Sequence, residues 1–143
     1  MRSAWLLGII IAIIITGCGE SKPLNQQHIS RASFVRGKEV FMERCMFCHG
    51  INADGNGSLV KTLSPPYPSN FCQPEVALIP RDSLLQVIRD GGEATGKNPA
   101  MPAWKDVLSN QEIDDLISFI HATSMLGRVP ADYDMHNAEV FTK

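Results

Sequence analysis

An all-α domain is predicted by three segments in which apolar residues recur at helical spacing. Phe34, Gly37, Val40, Phe41 and Cys45 fall on one face of a first helix at intervals of three and four. Leu84, Leu85, Val87 and Ile88 follow Pro80-Arg81-Asp82-Ser83, which carries helix-start chemistry. Ile113, Leu116, Ile117 and Ile120 follow Ser109-Asn110-Gln111-Glu112, a capping box with Ser109 as N-cap and Glu112 at N3. The 143 residues suit one small domain with flanking segments, and 44% hydrophobic content is ordinary for a folded chain.

Ahead of the first helix, Met1-Arg2-Ser3 precedes an apolar run from Ala4 to Ile15. Roughly 12 residues are short for a membrane-spanning helix and fit the h-region of a secretory signal. Ile15-Thr16-Gly17-Cys18 resembles the bacterial lipobox, in which small residues precede a Cys that is diacylated on sulfur and becomes the new N-terminus. The resemblance implies a signal peptide over 1–17, lipidation of Cys18, and a domain tethered on the periplasmic side of the inner or the outer membrane. An uncleaved N-terminal anchor is the alternative. Buried acyl chains contribute about 0.8 kcal/mol per CH₂, and stable anchoring takes more than one chain, which a lipobox product has. Residues 18–30 are polar and without apolar period, so they read as a tether, with His28 solvated within it.

The chain carries 13 Lys and Arg against 15 Asp and Glu, a net of −2. Loss of Arg2 with the signal makes this about −3. No basic patch points to nucleic acid. A weakly acidic surface gives a basic docking partner only a mild preference, because salt screens it.

Regular structure is expected from about Ser33. Gly37 is a poor residue for an exposed helix interior, costing about 0.8–1 kcal/mol against Ala. Close approach of another helix is the expected compensation, with Leu116 or Phe119 filling the space above it. The helix delivers Cys45-Met46-Phe47-Cys48-His49, the C-x-x-C-H pattern of c-type haem attachment. Two thiols at this spacing can add across the two haem vinyl groups as thioethers, and His49 can present an imidazole to the iron. A structural or redox Cys pair is the competing reading. Cys72 is then left without an intramolecular partner. Burial as a small hydrophobe is its expected state, ahead of an intermolecular disulfide or a reactive thiol.

Asp54-Gly55 and Asn56-Gly57 mark turns. The acidic spacing around them is too incomplete for a calcium loop. Leu59 to Leu63 reads as a short helical turn. In Ser64-Pro65-Pro66-Tyr67-Pro68-Ser69-Asn70-Phe71, three prolines in four residues exclude ordinary helix or central strand. The result is a stiff loop with aromatic residues, suited to wall a flat apolar cofactor. The carbonyl of Pro65 or Pro66 is expected to accept the Nδ1 proton of His49, as partners behind metal ligands do.

Gly91-Gly92 is expected to stop the second long helix. Glu93 to Ala103 has no period and reads as a loop that holds Met101. A Met on a loop rather than on an apolar face is the expected second axial ligand, opposite His49. Met42, Met46, Met125 and Met135 compete less well, being on the attachment helix, at a helix end or in the tail. Trp104 should pack against the cofactor pocket or the last helix, with its indole N–H available to a propionate. That last helix should end near Met125 at Gly127. His121 is expected on its surface, and residues 127–143, with His136 as a remote alternative ligand, form a tail without clear period.

Taken together, Gly37-x-x-Val40-Phe41-x-x-x-Cys45-x-x-Cys48-His49-Gly50, the Gly55-x-Gly57 turn, Pro66-x-Pro68-x-x-Phe71, and Met101-Pro102-Ala103-Trp104 before Leu108-Ser109-x-x-Glu112 resemble the class I cytochromes c. The likeness is specifically to the single-haem modules whose members include subunits of cbb-type oxidases. It spans about residues 31–126. It implies an all-α class I cytochrome c fold around one covalently bound haem c, with the N- and C-terminal helices crossing at Gly37. Unpaired Cys72 and the tail after Gly127 depart from the pattern.

A haem with both axial positions filled by protein has no vacant site for substrate. Electron transfer is therefore expected rather than enzyme catalysis. The main expectation is a membrane-tethered periplasmic mono-haem carrier passing single electrons between a respiratory donor and acceptor. The alternative is a dedicated electron-transfer subunit of a dehydrogenase or reductase complex. A haem-based sensor comes third, since no signalling domain accompanies the haem module.

Overall fold

The computed structural model describes residues 29–131. The signal segment, Cys18, His28, Met135 and His136 lie outside the described residues. Among the described residues there is no strand, and no helix is long and apolar enough to cross a membrane. The long helices are α1 (Arg31–Arg44), α3 (Arg81–Ala94) and α4 (Asn110–Leu126), and a single turn, α2 (Met46–His49), follows α1.

α1 begins two residues earlier than its apolar pattern suggests, because Ser30 caps it: the Ser30 hydroxyl accepts from the Ser33 N–H at 3.0 Å. Its buried face is Phe34, Gly37, Val40 and Phe41. α4 starts at the capping box expected for it, with Ser109 Oγ accepting from Glu112 N–H and Glu112 Oε2 accepting from Ser109 N–H at 2.8 Å. It ends at Gly127 in the left-handed region.

α1 and α4 cross at Gly37. A Cβ there would lie 2.0 Å from the Asp115 carbonyl oxygen and 2.9 Å from the Leu116 nitrogen. The space above Gly37 is thus taken by the main chain of α4, and not by the side chains of Leu116 or Phe119. Phe119 instead lies against Phe34 and Phe41, at ring-centroid distances of 5.6 and 4.9 Å. All three rings are fully buried, which stabilises the crossing by roughly 1.5–3 kcal/mol per side chain. The carboxylate of Asp115 is buried beside them, and Arg36 grips it through Nε at 2.6 Å and Nη2 at 3.0 Å while Gln111 adds a third donor at 3.0 Å.

The second face of α4 carries a correction. A 3₁₀ segment, Pro74–Leu78, packs on it. Ala77 N–H donates to Ser124 Oγ at 2.9 Å, and Ser124 Oγ donates to the Gln73 carbonyl. His121, expected on the surface, is consequently only 5% exposed, with its ring bonded to the Ile79 carbonyl. α4 is covered on both sides, so its pattern of one apolar stripe understates what it buries. Arg81 at the start of α3 reaches Asp114 of α4 and ties the third long helix to the pair.

α3 loses helical geometry at Gly91, as expected, although a last turn continues to Ala94. Gly91 has φ 79°, and a Cβ there would come within 3.0 Å of the Met101 carbonyl oxygen and 2.8 Å of the Ala103 nitrogen. The helix breaks where the Met101 loop must come close. Leu59–Leu63 forms the expected short turn, a 3₁₀ helix over Val60–Thr62. Cys72 is only half-buried, its thiol donating to the Asn52 carbonyl at 3.3 Å, so it is not the core hydrophobe expected. Burial and the nearby Asp54 carboxylate push that thiol's pKa up. Ile29 and Pro130 are buried as well, so the packed domain reaches past the 31–126 span at both ends.

Candidate haem site

α2 is a turn in which the main chain points three side chains to one side. His49 N–H donates to the Cys45 carbonyl at 2.9 Å and Gly50 N–H to the Met46 carbonyl at 2.8 Å. The Asp54–Gly57 turn folds back beneath it. Gly55, Gly57 and Leu59 donate their N–H groups to the His49, Cys48 and Phe47 carbonyls at 2.8, 3.2 and 2.9 Å. The carbonyls that a helix end leaves unpaired are thereby satisfied, and the attachment residues are held from below.

Cys45, Cys48, His49 and Met101 line one cavity of about 440 Å³ between α1–α2, α3 and the C-terminal half of α4. Among the described residues no other methionine lines it: Met42 and Met46 pack against the core and Met125 is exposed. Phe71, Ile88, Trp104 and Ile120 supply apolar wall, and Trp104 faces the cavity as expected. Met101 is held through its backbone, its N–H donating to the Asn98 carbonyl at 3.0 Å and its carbonyl accepting from Gly92 N–H at 2.9 Å.

The His49 ring is set by two neighbours. Its Nδ1 faces the Ser69 carbonyl at 3.4 Å. This corrects the expectation of Pro65 or Pro66; the carbonyl of Pro66, like that of Ser64, is instead taken by the Asn98 amide at 2.9 and 2.5 Å. Phe71 stacks flat on the imidazole, with centroids 4.6 Å apart and planes 14° from parallel. With Nδ1 turned to Ser69, Nε2 is the ring atom left to bind a metal. Burial holds the His49 pKa below its ordinary value, opposed by the bond to Ser69, so the imidazole is kept in the neutral form that ligates.

Burial, with a smaller contribution from Cys48, pushes the Cys45 thiol up to about 12. The residues present therefore fit a flat apolar macrocycle: two thiols on one turn, an oriented neutral imidazole and a thioether converge on an apolar cavity of suitable kind. The asparagine at 98 was not among the residues singled out by sequence. Asn98-Pro99 marks a turn, but nothing in the sequence says that its side chain reaches another loop.

Comparison with known proteins agrees with this geometry. Residues 32–120 match the family described as cytochrome C oxidase, cbb3-type, subunit III. The chain is 36% identical over 89 residues to the cytochrome c subunit of an alcohol dehydrogenase (quinone) from Gluconobacter oxydans (strain 621H), covering 59% of this chain and 17% of that protein. It is 33% identical over 94 residues to the corresponding subunits from Gluconacetobacter polyoxogenes and Komagataeibacter europaeus, covering 62% of this chain and 19% of each. The chain thus spans less than a fifth of the length of these relatives. No solved structure gives a significant match. The helical fold, the C-x-x-C-H turn over its cavity and the match across most of the folded residues make the chain a member of the cbb3-type cytochrome c oxidase subunit III family, with the class I cytochrome c fold and the covalent haem c that the family carries.

Proposed function

We propose that this domain is a mono-haem electron carrier in which Cys45 and Cys48 form the thioethers and His49 and Met101 bind the iron from opposite sides. The observation that carries the reading is the convergence of those four side chains on one apolar cavity. The haem, when bound, supplies a one-electron ferrous/ferric couple. The chain's own contribution is to hold it in one geometry. Ser69 and Phe71 orient His49, the backbone bonds of Met101 keep its sulfur at the other wall, and Ile88, Trp104 and Ile120 keep water away. A thioether ligand in an apolar pocket favours the ferrous state and so raises the potential. His49 and Met101 would both be engaged in holding the iron, which would leave the domain to electron transfer rather than to catalysis.

Names of the relatives favour a second form of the same reading, a dedicated electron-transfer subunit of a dehydrogenase complex. Stable co-purification with a catalytic partner distinguishes it from a tethered shuttle. Signal cleavage after residue 17 and acylation of Cys18 are proposed on the lipobox resemblance, with the domain on the periplasmic side of a membrane. Mass spectrometry of the N-terminal peptide from the membrane fraction tests this: an unmodified Cys18 within an intact leader would overturn it.

Adding carbon monoxide to the purified, reduced holoprotein tests the central reading. A low-spin c-type spectrum unchanged over minutes is expected. An immediate shift would mean an open sixth position and would move the assignment to sensing or catalysis.

A further inference from the structure

Two loops support the two sides of the cavity. Residues 64–71 carry Ser69 and Phe71, which orient His49. Residues 95–103 carry Met101. They are 20 or more positions apart in sequence, and the Asn98 side chain links them. Its Nδ2 donates one proton to the Ser64 carbonyl at 2.5 Å and the other to the Pro66 carbonyl at 2.9 Å. Its Oδ1 accepts from Ala100 N–H at 2.9 Å, and its own carbonyl accepts from Met101 N–H at 3.0 Å. Every polar group of this carboxamide is used. Behind it, Gly92 lets the loop close in: a Cβ there would sit 1.9 Å from the Asn98 carbonyl oxygen.

We propose that Asn98 is a positioning residue that latches the Met101 loop to the His49-supporting loop across the cavity and thereby limits how often the Met101 sulfur leaves the iron. The proposal rests on the assignment of Met101 as ligand made above. Its chemical logic is that only a group with two donors and one acceptor in this arrangement can join both carbonyls and the Ala100 N–H. Both targets are backbone atoms of a proline-rich loop, so the latch engages a stiff partner and its loss is not absorbed by side-chain rearrangement. Residues 98 and 101 are three apart and bonded through the main chain, so displacement of Asn98 carries Met101 with it.

The test compares full-chain holoprotein carrying Asn98→Asp, Asn98→Ser, Met101→Ala or Gly96→Ala with the native chain. Aspartate keeps the shape and the acceptor for Ala100 N–H but sets oxygen against the two carbonyls. Serine keeps a local acceptor and cannot reach them. Gly96→Ala strains the same loop, at φ 69° with no heavy atom within 4 Å, without touching the latch. Two readouts are taken: the rate of carbon monoxide binding to the reduced protein, and the sulfur-to-iron charge-transfer band of the oxidised protein. Both Asn98 variants should accelerate carbon monoxide binding roughly 5- to 30-fold, the factor that one or two ordinary hydrogen bonds are worth, and should weaken the band with both thioethers intact. Met101→Ala should abolish the band. If it does not, the ligand assignment fails. If it does, while both Asn98 variants bind the gas at the native rate, the latch is overturned and the ligand assignment stands. Equal acceleration by Gly96→Ala would also overturn it, reducing Asn98 to general loop stability. Should Asn98→Asp not yield holoprotein, Asn98→Ser alone decides by the same criteria.

Discussion

Phe71 lies flat on His49, 4.6 Å from ring centre to ring centre, while meeting Phe41 of α1 nearly edge-on at 6.3 Å and 67°. The ring that backs the His49 imidazole therefore also packs against the hydrophobic core, and the backbone N–H of Phe71 is tied to the Ala53 carbonyl at 2.8 Å. Orientation of His49 and stability of the fold share one residue.

Replacing Phe71 by Leu should keep haem attachment while lowering the stability of the holoprotein by about 1–3 kcal/mol, from lost stacking and a partly refilled cavity. Denaturant unfolding measures the loss. The paramagnetic NMR shifts of the oxidised protein should show His49 in more than one orientation, and a single native-like set would mean that Ser69 alone suffices.

Gly37→Ala should be far more damaging. The three atoms that its Cβ would strike, the Asp115 carbonyl oxygen at 2.0 Å and carbon at 2.5 Å and the Leu116 nitrogen at 2.9 Å, are backbone of a packed helix and cannot yield without moving α4. A loss of at least about 3 kcal/mol is expected. Gly96→Ala, in open space but at φ 69°, should cost only about 1 kcal/mol. Equal losses in the two variants would contradict the crossing geometry.

Ser124 is 1% exposed and joins α4 to the 3₁₀ segment at Pro74–Leu78 through a donated and an accepted hydrogen bond. Ser124→Ala leaves the Ala77 N–H unpaired and the Gln73 carbonyl with the Val76 N–H alone, and should cost about 1–3 kcal/mol. Faster amide exchange at Ala77, well before global unfolding, is the accompanying signature.

His121 makes stability depend on acidity. Burial holds its pKa below the ordinary 6.5, with the Ile79 carbonyl working against that shift and the Arg81 cation, itself paired to Asp114, adding to it. Below 6.5 the unfolded chain binds a proton that the folded chain resists, so the stabilisation is complete above 6.5 and is lost as the pH falls toward the depressed folded value. Its Nε2 has no hydrogen-bond partner among the described residues, so a charged ring there is poorly received. His121→Asn should flatten the slope of unfolding free energy against pH below 6.5. An unaltered slope would show that other groups set it.

The helices were legible because their signals are local. The Ser109–Glu112 box, the Gly127 stop and the spacing of Phe34, Gly37 and Phe41 act within a few residues and survived folding unchanged. That Cys45, Cys48, His49 and Met101 should meet at one cavity was legible because residue type carries their chemistry. What sequence did not disclose is carried by backbone groups. The Ser69 carbonyl that serves His49 belongs to a residue whose side chain is irrelevant to the task, so nothing distinguished it from the carbonyls of Pro65 and Pro66. His121 was misplaced because its burial depends on Pro74–Leu78, a 3₁₀ piece too short to leave a period. Asn98 reads locally as a turn residue, and its reach to positions 64 and 66 exists only in three dimensions.

The crossing at Gly37 also fastens the two ends of the described chain to each other. Arg36 and Asp115, which seal it, are 79 positions apart, so the stretch that carries Cys45, Cys48, His49 and Met101 is closed into a loop between two docked helices. The entropic cost of closing a loop grows only slowly with its length, and burial of Phe34, Phe41 and Phe119 at the crossing offsets it.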